Sequence, residues 1–205
     1  EEPLINKREL LERVGKSEWE DYAIVIFHPI LGDEEGSIIT FSKILSTLRR
    51  MNINAFVSYP NIDAGNKEMI KIIENLKQDN SEKCFYFYST LPRFLFVNLM
   101  RHALFLIGNS STGIIEAPII PLAAINVGRR QMGRFSADNV VFVGEESDQI
   151  VEAINIVLSE EFRLKLKNID SPYGDGKSAV RAFNLIKSLD LSLYKYKKED
   201  PLYEQ

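Results

Sequence analysis

Short apolar runs alternate along the chain with segments in which apolar residues recur every three or four positions. Continuous apolar runs are typical of strands that are buried on both faces, whereas the longer spacing is typical of amphipathic helices. The pattern predicts six strands, at residues 23–27, 53–58, 84–88, 104–107, 122–127 and 140–143. It predicts helices at residues 38–48, 69–76, 96–100, 150–158 and 179–189, and a short helix at the serine turn after residue 109.

Strands that alternate with helices form a parallel sheet covered on both faces, so we predict a Rossmann-like, doubly wound α/β fold. Residues 21–190 are interpreted as the domain, residues 1–20 as a linker or the start of the domain, and residues 191–205 as a tail. Ligands of such folds bind beyond the carboxyl ends of the strands. Polar residues directly after the predicted strands are therefore the candidates for function.

Composition narrows the class of function. The 205 residues carry a net charge of −4 without a dense stripe of Lys and Arg, which argues against nucleic-acid binding. No apolar run approaches a membrane span and the first residues do not resemble a signal peptide, so we expect a cytoplasmic protein that does not bind membranes. Two histidines and one cysteine, Cys84 in an apolar stretch, leave little for a His/Cys metal site. We expect no cofactor.

The segment from Gly108 to Glu116 follows the fourth predicted strand. A strand that ends in small hydroxyl residues and then opens a helix presents backbone N–H groups to an anion, so Ser110 and Ser111 are candidate phosphate ligands. Glu116 lies five residues after Ser111, where its carboxylate could accept hydrogen bonds from the two hydroxyls of a ribose. The segment indicates a nucleoside-diphosphate pocket. An ordinary capped helix with a surface glutamate fits the spacing equally well.

Polar groups follow three other predicted strands. His28 comes after the first strand and is held extended by Pro29. Asn61 lies after the second strand, where it could contact a ligand or cap the next helix. Arg130 lies in a glycine-flanked loop after the fifth strand, and its guanidinium can bind phosphate through two hydrogen bonds. Each residue alone also fits a purely structural role, but their convergence on one edge of the sheet favours a ligand site.

These segments resemble the signature of the UDP-N-acetylglucosamine 2-epimerases, in order and at matching separations. The resemblance is carried by residues 28–29, 60–65, 108–118, 125–128 and 130–134. Residues 172–176, just before the last predicted helix, are similar to the hydrolysing branch, which releases N-acetylmannosamine and UDP for sialic-acid-type sugars. Such a combination is far more specific than a single glycine-rich turn.

The resemblance implies the roles of individual residues. Ser110, Ser111 and Gly113 would bind UDP through its diphosphate, and Glu116 would bind the ribose hydroxyls. Arg130 and Asn61 would contact the diphosphate or the sugar. His28 would be the catalytic residue of this half, beside the reacting pyranose. Leu91 and Phe96 would border the uracil, for which an apolar wall is physically suitable.

The family has a glycosyltransferase-B architecture, with its active site in the cleft between two Rossmann-like halves, and this chain resembles only the second half. The first half of the family supplies acidic residues for proton transfer at the sugar C2, and these do not map onto this chain. The implied partners are therefore UDP, a UDP-amino-sugar, the missing N-terminal domain and further copies of the full enzyme in a homo-oligomer. We expect the isolated chain to lack activity.

The implied reaction removes the C2 proton while UDP leaves the anomeric carbon, and then adds water to give the free 2-epimer. This half would stabilise the departing diphosphate. Two alternatives stay open. The chain could be half of a UDP-sugar glycosyltransferase, which would need an acceptor and release no free sugar. It could instead be a non-catalytic module that senses UDP-sugars.

Overall fold

The structure is a computed structural model that describes residues 2–79 and 82–194. Within these residues the strands are β1 (Tyr22–Ile26), β2 (Asn54–Ser58), β3 (Phe85–Tyr88), β4 (Leu106–Gly108), β5 (Ala124–Val127) and β6 (Val140–Val143). The α-helices are α1 (Lys7–Arg13), α2 (Glu34–Arg50), α3 (Asn66–Gln78), α4 (Arg93–His102), α5 (Thr112–Ile115), α6 (Ser147–Leu158), α7 (Glu160–Leu166) and α8 (Ser178–Ser188). None of the described helices is both long enough and apolar enough to span a membrane.

The sheet has the strand order β3-β2-β1-β4-β5-β6, and every neighbouring pair is parallel. The chain proceeds outward from β1 to β3, returns to place β4 beside β1, and proceeds to the other edge. This is the order of a doubly wound Rossmann fold, so the predicted fold class is confirmed. The winding direction reverses between β1 and β4, and folds of this kind bind ligands at that point, beyond the carboxyl ends of the strands.

Apolar clusters cover both faces of the sheet because successive side chains of a strand point to opposite sides. From β1, Ala23 and Val25 face one cluster, which includes side chains of α2, α3 and α6. Tyr22 and Ile24 face the other cluster, which includes side chains of α1 and α4. Burial on both faces explains why the predicted strands are continuous apolar runs.

All six predicted strands are present, with small shifts at their ends, and two helices were not predicted. These are α1 and α7, each seven residues long and begun by a side-chain cap. Asn6 accepts a hydrogen bond from the backbone N–H of Glu9, and Ser159 accepts one from that of Phe162. Seven residues give fewer than two full turns of apolar periodicity, so the pattern alone does not distinguish them from loops.

The chain divides into two compact units, one extending to Pro172 and one beginning at Tyr173. The second unit contains α8, in agreement with the helix predicted at 179–189. Asp175 accepts hydrogen bonds from the Arg181 guanidinium at 2.7 and 2.8 Å and from the Lys177 N–H at 3.1 Å. The Arg181 hydrogen bonds lower the pKa of Asp175 to about 2. Of the predicted tail at 191–205, residues 195–205 lie outside the described residues.

Candidate functional site

Four of the predicted site residues lie on loops that leave the same edge of the sheet. His28 follows β1, Asn61 follows β2, Ser110 follows β4 and Arg130 follows β5. These four strands are consecutive neighbours and all parallel, so their carboxyl ends meet. The structure thereby brings together loops that are separated by up to a hundred residues in sequence.

Asn109 connects two of these loops. Its side-chain Oδ1 accepts a hydrogen bond from the backbone N–H of His28, and its Nδ2 donates one to the His28 carbonyl, both at 2.8 Å. The Asn109 carbonyl accepts hydrogen bonds from Arg130 Nη1 at 3.0 Å and from Gln131 Nε2 at 3.1 Å. Asn109 is fully buried. The ends of β1 and β4 and the loop after β5 are therefore joined at one residue.

His28 is half-buried and its ring is oriented by the loop after β2. The backbone N–H of Asn61 donates to His28 Nδ1 at 3.2 Å. An Nδ1 atom that accepts a hydrogen bond carries no proton, so the neutral ring has its proton on Nε2. Burial lowers the pKa of His28, the positive charge of Arg130 lowers it further, and Asp63 partly opposes both. His28 is therefore a neutral hydrogen-bond donor at pH 7.

The turn after β4 depends on Gly108, whose φ is +146°. A Cβ atom at this position would lie only 2.0 Å from the carbonyl oxygen of Ile26 in β1. Only glycine allows β4 to end this close to β1. The following residue, Asn109, continues the pairing because its N–H donates to the Ile26 carbonyl at 3.1 Å.

The free hydrogen-bond donors of this turn are not those of the helix terminus that the sequence predicted. The helix α5 has four residues, so its dipole is small. Its first N–H groups are already used, because Thr112 donates to Ser110 Oγ at 3.3 Å and Ile114 donates to the Ser111 carbonyl at 2.9 Å. Within the described part of the chain, the backbone N–H groups of Ser110 and Ser111 and the Ser111 hydroxyl have no partner. These three donors remain available to a ligand.

Glu116 and Gly113, at the end and in the middle of α5, differ in exposure. Glu116 is the exposed C-cap of the helix, and its carboxylate has no hydrogen bond or ion pair to any residue that the structure describes. Gly113 is buried against β5, where an added Cβ would lie 3.0 Å from the Ala124 Cβ. Gly113 therefore allows α5 to approach the sheet, while Glu116 offers a free acceptor to solvent.

Leu91 and Phe96 lie at the beginning of α4. Leu91 precedes the N-cap residue Pro92, and the N–H of Phe96 donates to the Pro92 carbonyl at 3.1 Å. Both side chains are partly buried and pack against the core cluster that includes Leu99. Their remaining exposed surface is apolar, which is compatible with the predicted wall for a base.

Sequence reasoning missed three buried carboxamides that hold the site together. Asn109 and Gln131 were quoted within the motifs, but no role was predicted for either. Asn139 was not singled out, although its Nδ2 donates to the carbonyls of Gly113 and Leu122, both at 3.0 Å. Within the described residues, Gln131 Oε1 and Asn139 Oδ1 are buried without a partner. The sequence feature that could have indicated these residues is an Asn or Gln at the end of an apolar strand or in the adjoining loop.

Apart from the Asp63 carboxylate, which accepts from the Asn61 side chain, the groups on this edge that can contact a ligand are mainly hydrogen-bond donors. They comprise two backbone N–H groups, a hydroxyl, the Arg130 guanidinium and the protonated Nε2 of His28. Glu116 adds one carboxylate acceptor. A ligand with several anionic oxygens and, further along, hydroxyl groups would satisfy both kinds of group.

Known proteins are similar to this chain along most of its length. The UDP-N,N'-diacetylbacillosamine 2-epimerase (hydrolyzing) of Legionella pneumophila is 28% identical over 180 residues, which cover 88% of this chain and 46% of the relative. Polysialic acid biosynthesis protein P7 of Escherichia coli is 30% identical over 186 residues, which cover 90% of this chain and 46% of that protein. The chain therefore spans about half the length of the curated relatives that it matches.

The fold also has solved counterparts. The UDP-GlcNAc 2-epimerase of Methanocaldococcus jannaschii, solved with UDP-GlcNAc and UDP, superposes with a TM-score of 0.66 at 17% identity. That superposition covers 89% of this chain and 49% of the archaeal enzyme, so this chain has the fold of one half of such an enzyme. The sequence profile described as UDP-N-acetylglucosamine 2-epimerase matches residues 3–187. The predicted resemblance is confirmed, and the chain belongs to the UDP-N-acetylglucosamine 2-epimerase family.

Proposed function

We propose that this chain is the UDP-binding half of a hydrolysing UDP-N-acetylglucosamine 2-epimerase. The complete enzyme would convert UDP-N-acetylglucosamine, or a related UDP-amino-sugar, into the free 2-epimer and UDP. The observation that carries the proposal is the set of hydrogen bonds made by Asn109. They connect His28 and Arg130 to the turn that contains the free N–H groups of Ser110 and Ser111. Family membership and the hydrolysing relatives support the same reaction.

In this proposal the donors hold the UDP diphosphate. Ser110, Ser111 and Arg130 would contact the phosphate oxygens, which gain negative charge as the bond to the sugar breaks. Glu116 would accept hydrogen bonds from the ribose, and the uracil would lie against Leu91 and Phe96. Gly113 would contribute by keeping α5 close to the sheet, and Asn61 by holding the His28 ring.

The proposed chemistry begins with a base that removes the C2 proton. The electron pair of that C–H bond forms a C1–C2 double bond, and the C1–O bond breaks with its electrons going to the diphosphate. Water then supplies a hydroxyl to C1 and a proton to the opposite face of C2, which gives the free epimer. The Nε2–H of neutral His28 would donate to the departing oxygen or to the sugar. The base would come from the other half of the enzyme.

The proposal extends to the setting of the enzyme. The N-terminal half would complete the cleft, the full enzyme would form a homo-oligomer, and the isolated chain would bind UDP without turnover. A cytoplasmic location is part of the proposal.

The first test is calorimetric titration of the isolated, folded chain with UDP. We expect weak binding, because the diphosphate and ribose contacts lie in this half while the rest of the pocket is absent. No heat at millimolar UDP would contradict the proposal.

The second test uses the complete two-domain enzyme with UDP-N-acetylglucosamine, and measures the free amino sugar and UDP over time. Equimolar release of both without an acceptor supports hydrolytic epimerisation. Transfer that requires an acceptor would instead identify a glycosyltransferase. UDP-sugar binding without turnover would identify a sensing module.

A further inference from the structure

We propose that Asn109 is a positioning residue that sets the orientation of both the His28 ring and the anion-binding N–H of Ser110. In this proposal Asn109 itself contacts neither the uracil nor the sugar. The inference rests on the proposed function, since it concerns the same site, but its main measurement requires no ligand.

Both polar atoms of the Asn109 side chain form hydrogen bonds with the backbone of His28. Oδ1 accepts from the His28 N–H and Nδ2 donates to the His28 carbonyl, each at 2.8 Å. The pair imitates a backbone ladder just beyond the last paired residues, Ile26 and Gly108. Because Asn109 is fully buried, neither hydrogen bond competes with water. The backbone of His28 is therefore fixed at a point where strand pairing has already ended.

Fixing the His28 backbone also fixes what its ring can contact. The ring Nδ1 accepts the Asn61 N–H at 3.2 Å, near the upper limit for such a hydrogen bond. A small rotation of the His28 backbone would break this contact and release the preference for a proton on Nε2. The side chain of Asn109 thus acts on the protonated nitrogen of His28 through the backbone.

The carbonyl of Asn109 acts on the other side of the site. It accepts from Arg130 Nη1 and Gln131 Nε2 at 3.0 and 3.1 Å. In a planar trans peptide the carbonyl of one residue and the N–H of the next point in opposite directions. Holding the Asn109 carbonyl toward the loop after β5 therefore directs the free N–H of Ser110 away from that loop, toward the open side of the turn.

The test compares Asn109→Leu with the matched variant Asn98→Leu. Both asparagines are fully buried and bond through both ends of the amide, but Asn98 serves Ile5, Pro3 and Phe94, away from this edge. The ring nitrogens of His28 are followed by NMR in the ligand-free chain. The chain has two histidines, so His102, whose Nε2 lies 2.7 Å from the Ile5 carbonyl, serves as the internal reference in Asn109→Leu. In Asn98→Leu the His102 signals should change, because Asn98 Oδ1 accepts from the Ile5 N–H, and this change shows that the control has lost its own hydrogen bonds.

We expect Asn109→Leu to move the His28 ring nitrogens from a single tautomer toward an average of two. It should also weaken UDP binding by about tenfold, as expected for losing one hydrogen bond to a charged group. Asn98→Leu should lower stability but leave the His28 signals and the UDP affinity unchanged. Unchanged His28 signals in folded Asn109→Leu, or equal changes in both variants, would overturn the proposal.

Gln131→Met provides a second measurement if Asn109→Leu does not fold. Gln131 is 4% exposed and its Oε1 has no partner among the described residues, so methionine removes one hydrogen bond and one unsatisfied acceptor together. We expect the backbone amide signal of Ser110 to shift, because Gln131 bonds the carbonyl of the same peptide, while the His28 ring signals stay close to those of wild type. An unchanged Ser110 signal refutes the inference. If the wild-type chain did not bind UDP, the proposed function would be wrong. The role of Asn109 would still be tested, because the His28 ring signals are measured without ligand.

Discussion

Glu116→Ala should separate binding of the ribose from binding of the diphosphate. Glu116 is exposed and has no hydrogen bond or ion pair within the described residues, so its removal should leave the folded state unchanged. The carboxylate can stabilise only a ligand that offers hydroxyl groups. We therefore expect the variant to bind UDP more weakly while its affinity for inorganic pyrophosphate is unchanged or slightly increased.

The size of the effect follows from the kind of contact. A hydrogen bond to a charged group contributes about 1.5–3 kcal/mol, and each 1.4 kcal/mol corresponds to about tenfold in affinity. One such contact between Glu116 and a ribose hydroxyl predicts at least about a tenfold loss of UDP affinity. Removing a negative charge near a diphosphate acts in the opposite direction, and this term is the same for pyrophosphate. The ratio of the two affinities therefore isolates the hydroxyl contact.

The assay is calorimetric titration of wild type, Glu116→Ala and Glu152→Ala with both ligands. Glu152 is an exposed glutamate of α6, so its substitution makes the same change in net charge away from the serine turn. Its two affinities should match those of wild type. Equal losses of UDP and pyrophosphate affinity in Glu116→Ala would refute the ribose contact, and a lower melting temperature would show that Glu116 has a structural role.

Three other predictions concern the turn, the candidate site residues His28 and Arg130, and pH. Gly108→Ala should lower the free energy of unfolding by more than about 3 kcal/mol in urea titrations, because its Cβ would lie 2.0 Å from the Ile26 carbonyl oxygen. Gly133→Ala, with φ +78° and open space around the new Cβ, should cost only about 1–2 kcal/mol. In the two-domain enzyme, His28→Ala should reduce kcat by about 10²–10⁴-fold with little change in UDP affinity, whereas Arg130→Ala should reduce both; a proportional loss in His28→Ala would make His28 a binding residue. Burial and the positive charge of Arg130 lower the pKa of His28 in the folded chain below its ordinary value of 6.5. As the pH falls from about 6.5, the unfolded chain therefore binds a proton at His28 before the folded chain does. The free energy of unfolding should decrease until the pH reaches the pKa of His28 in the folded chain. Urea midpoints at about pH 7.5 and about pH 5.5 should differ more for wild type than for His28→Gln, and equal differences would contradict the lowered pKa.

The fold was predictable because its strands are buried on both faces. Residues 23–27, for example, are apolar without interruption and all buried, as is typical of parallel strands that helices cover on both faces. The short helices α1 and α7 were missed because each depends on a single cap, at Asn6 or Ser159, more than on periodicity.

The site was predictable only as far as residue type and strand ends determine it. His28 and Arg130 carry chemistry that is visible in any sequence, and the fold predicts that their loops converge. In the sequence Asn109 looks like an ordinary turn residue. Its role comes from its hydrogen bonds with His28 and with Arg130. Such partners depend on strand register, which a local pattern does not specify.

The hydrogen bonds between His28 and Asn109 join residues 81 positions apart, and this separation affects the order of events in refolding. The strand β1 pairs on one side with β2, which follows after a single helix, and on the other side with β4, which follows only after β2, α3, β3 and α4. We therefore expect the pairing with β4 to form later. Long-range parallel pairings form slowly because loop closure costs entropy before the contacts compensate it. In stopped-flow refolding, the binding of a fluorescent UDP analogue should therefore lag behind the far-ultraviolet circular dichroism signal. UDP that is present from the start should bind only chains that have finished folding, so it should not accelerate the preceding pairing of the strands.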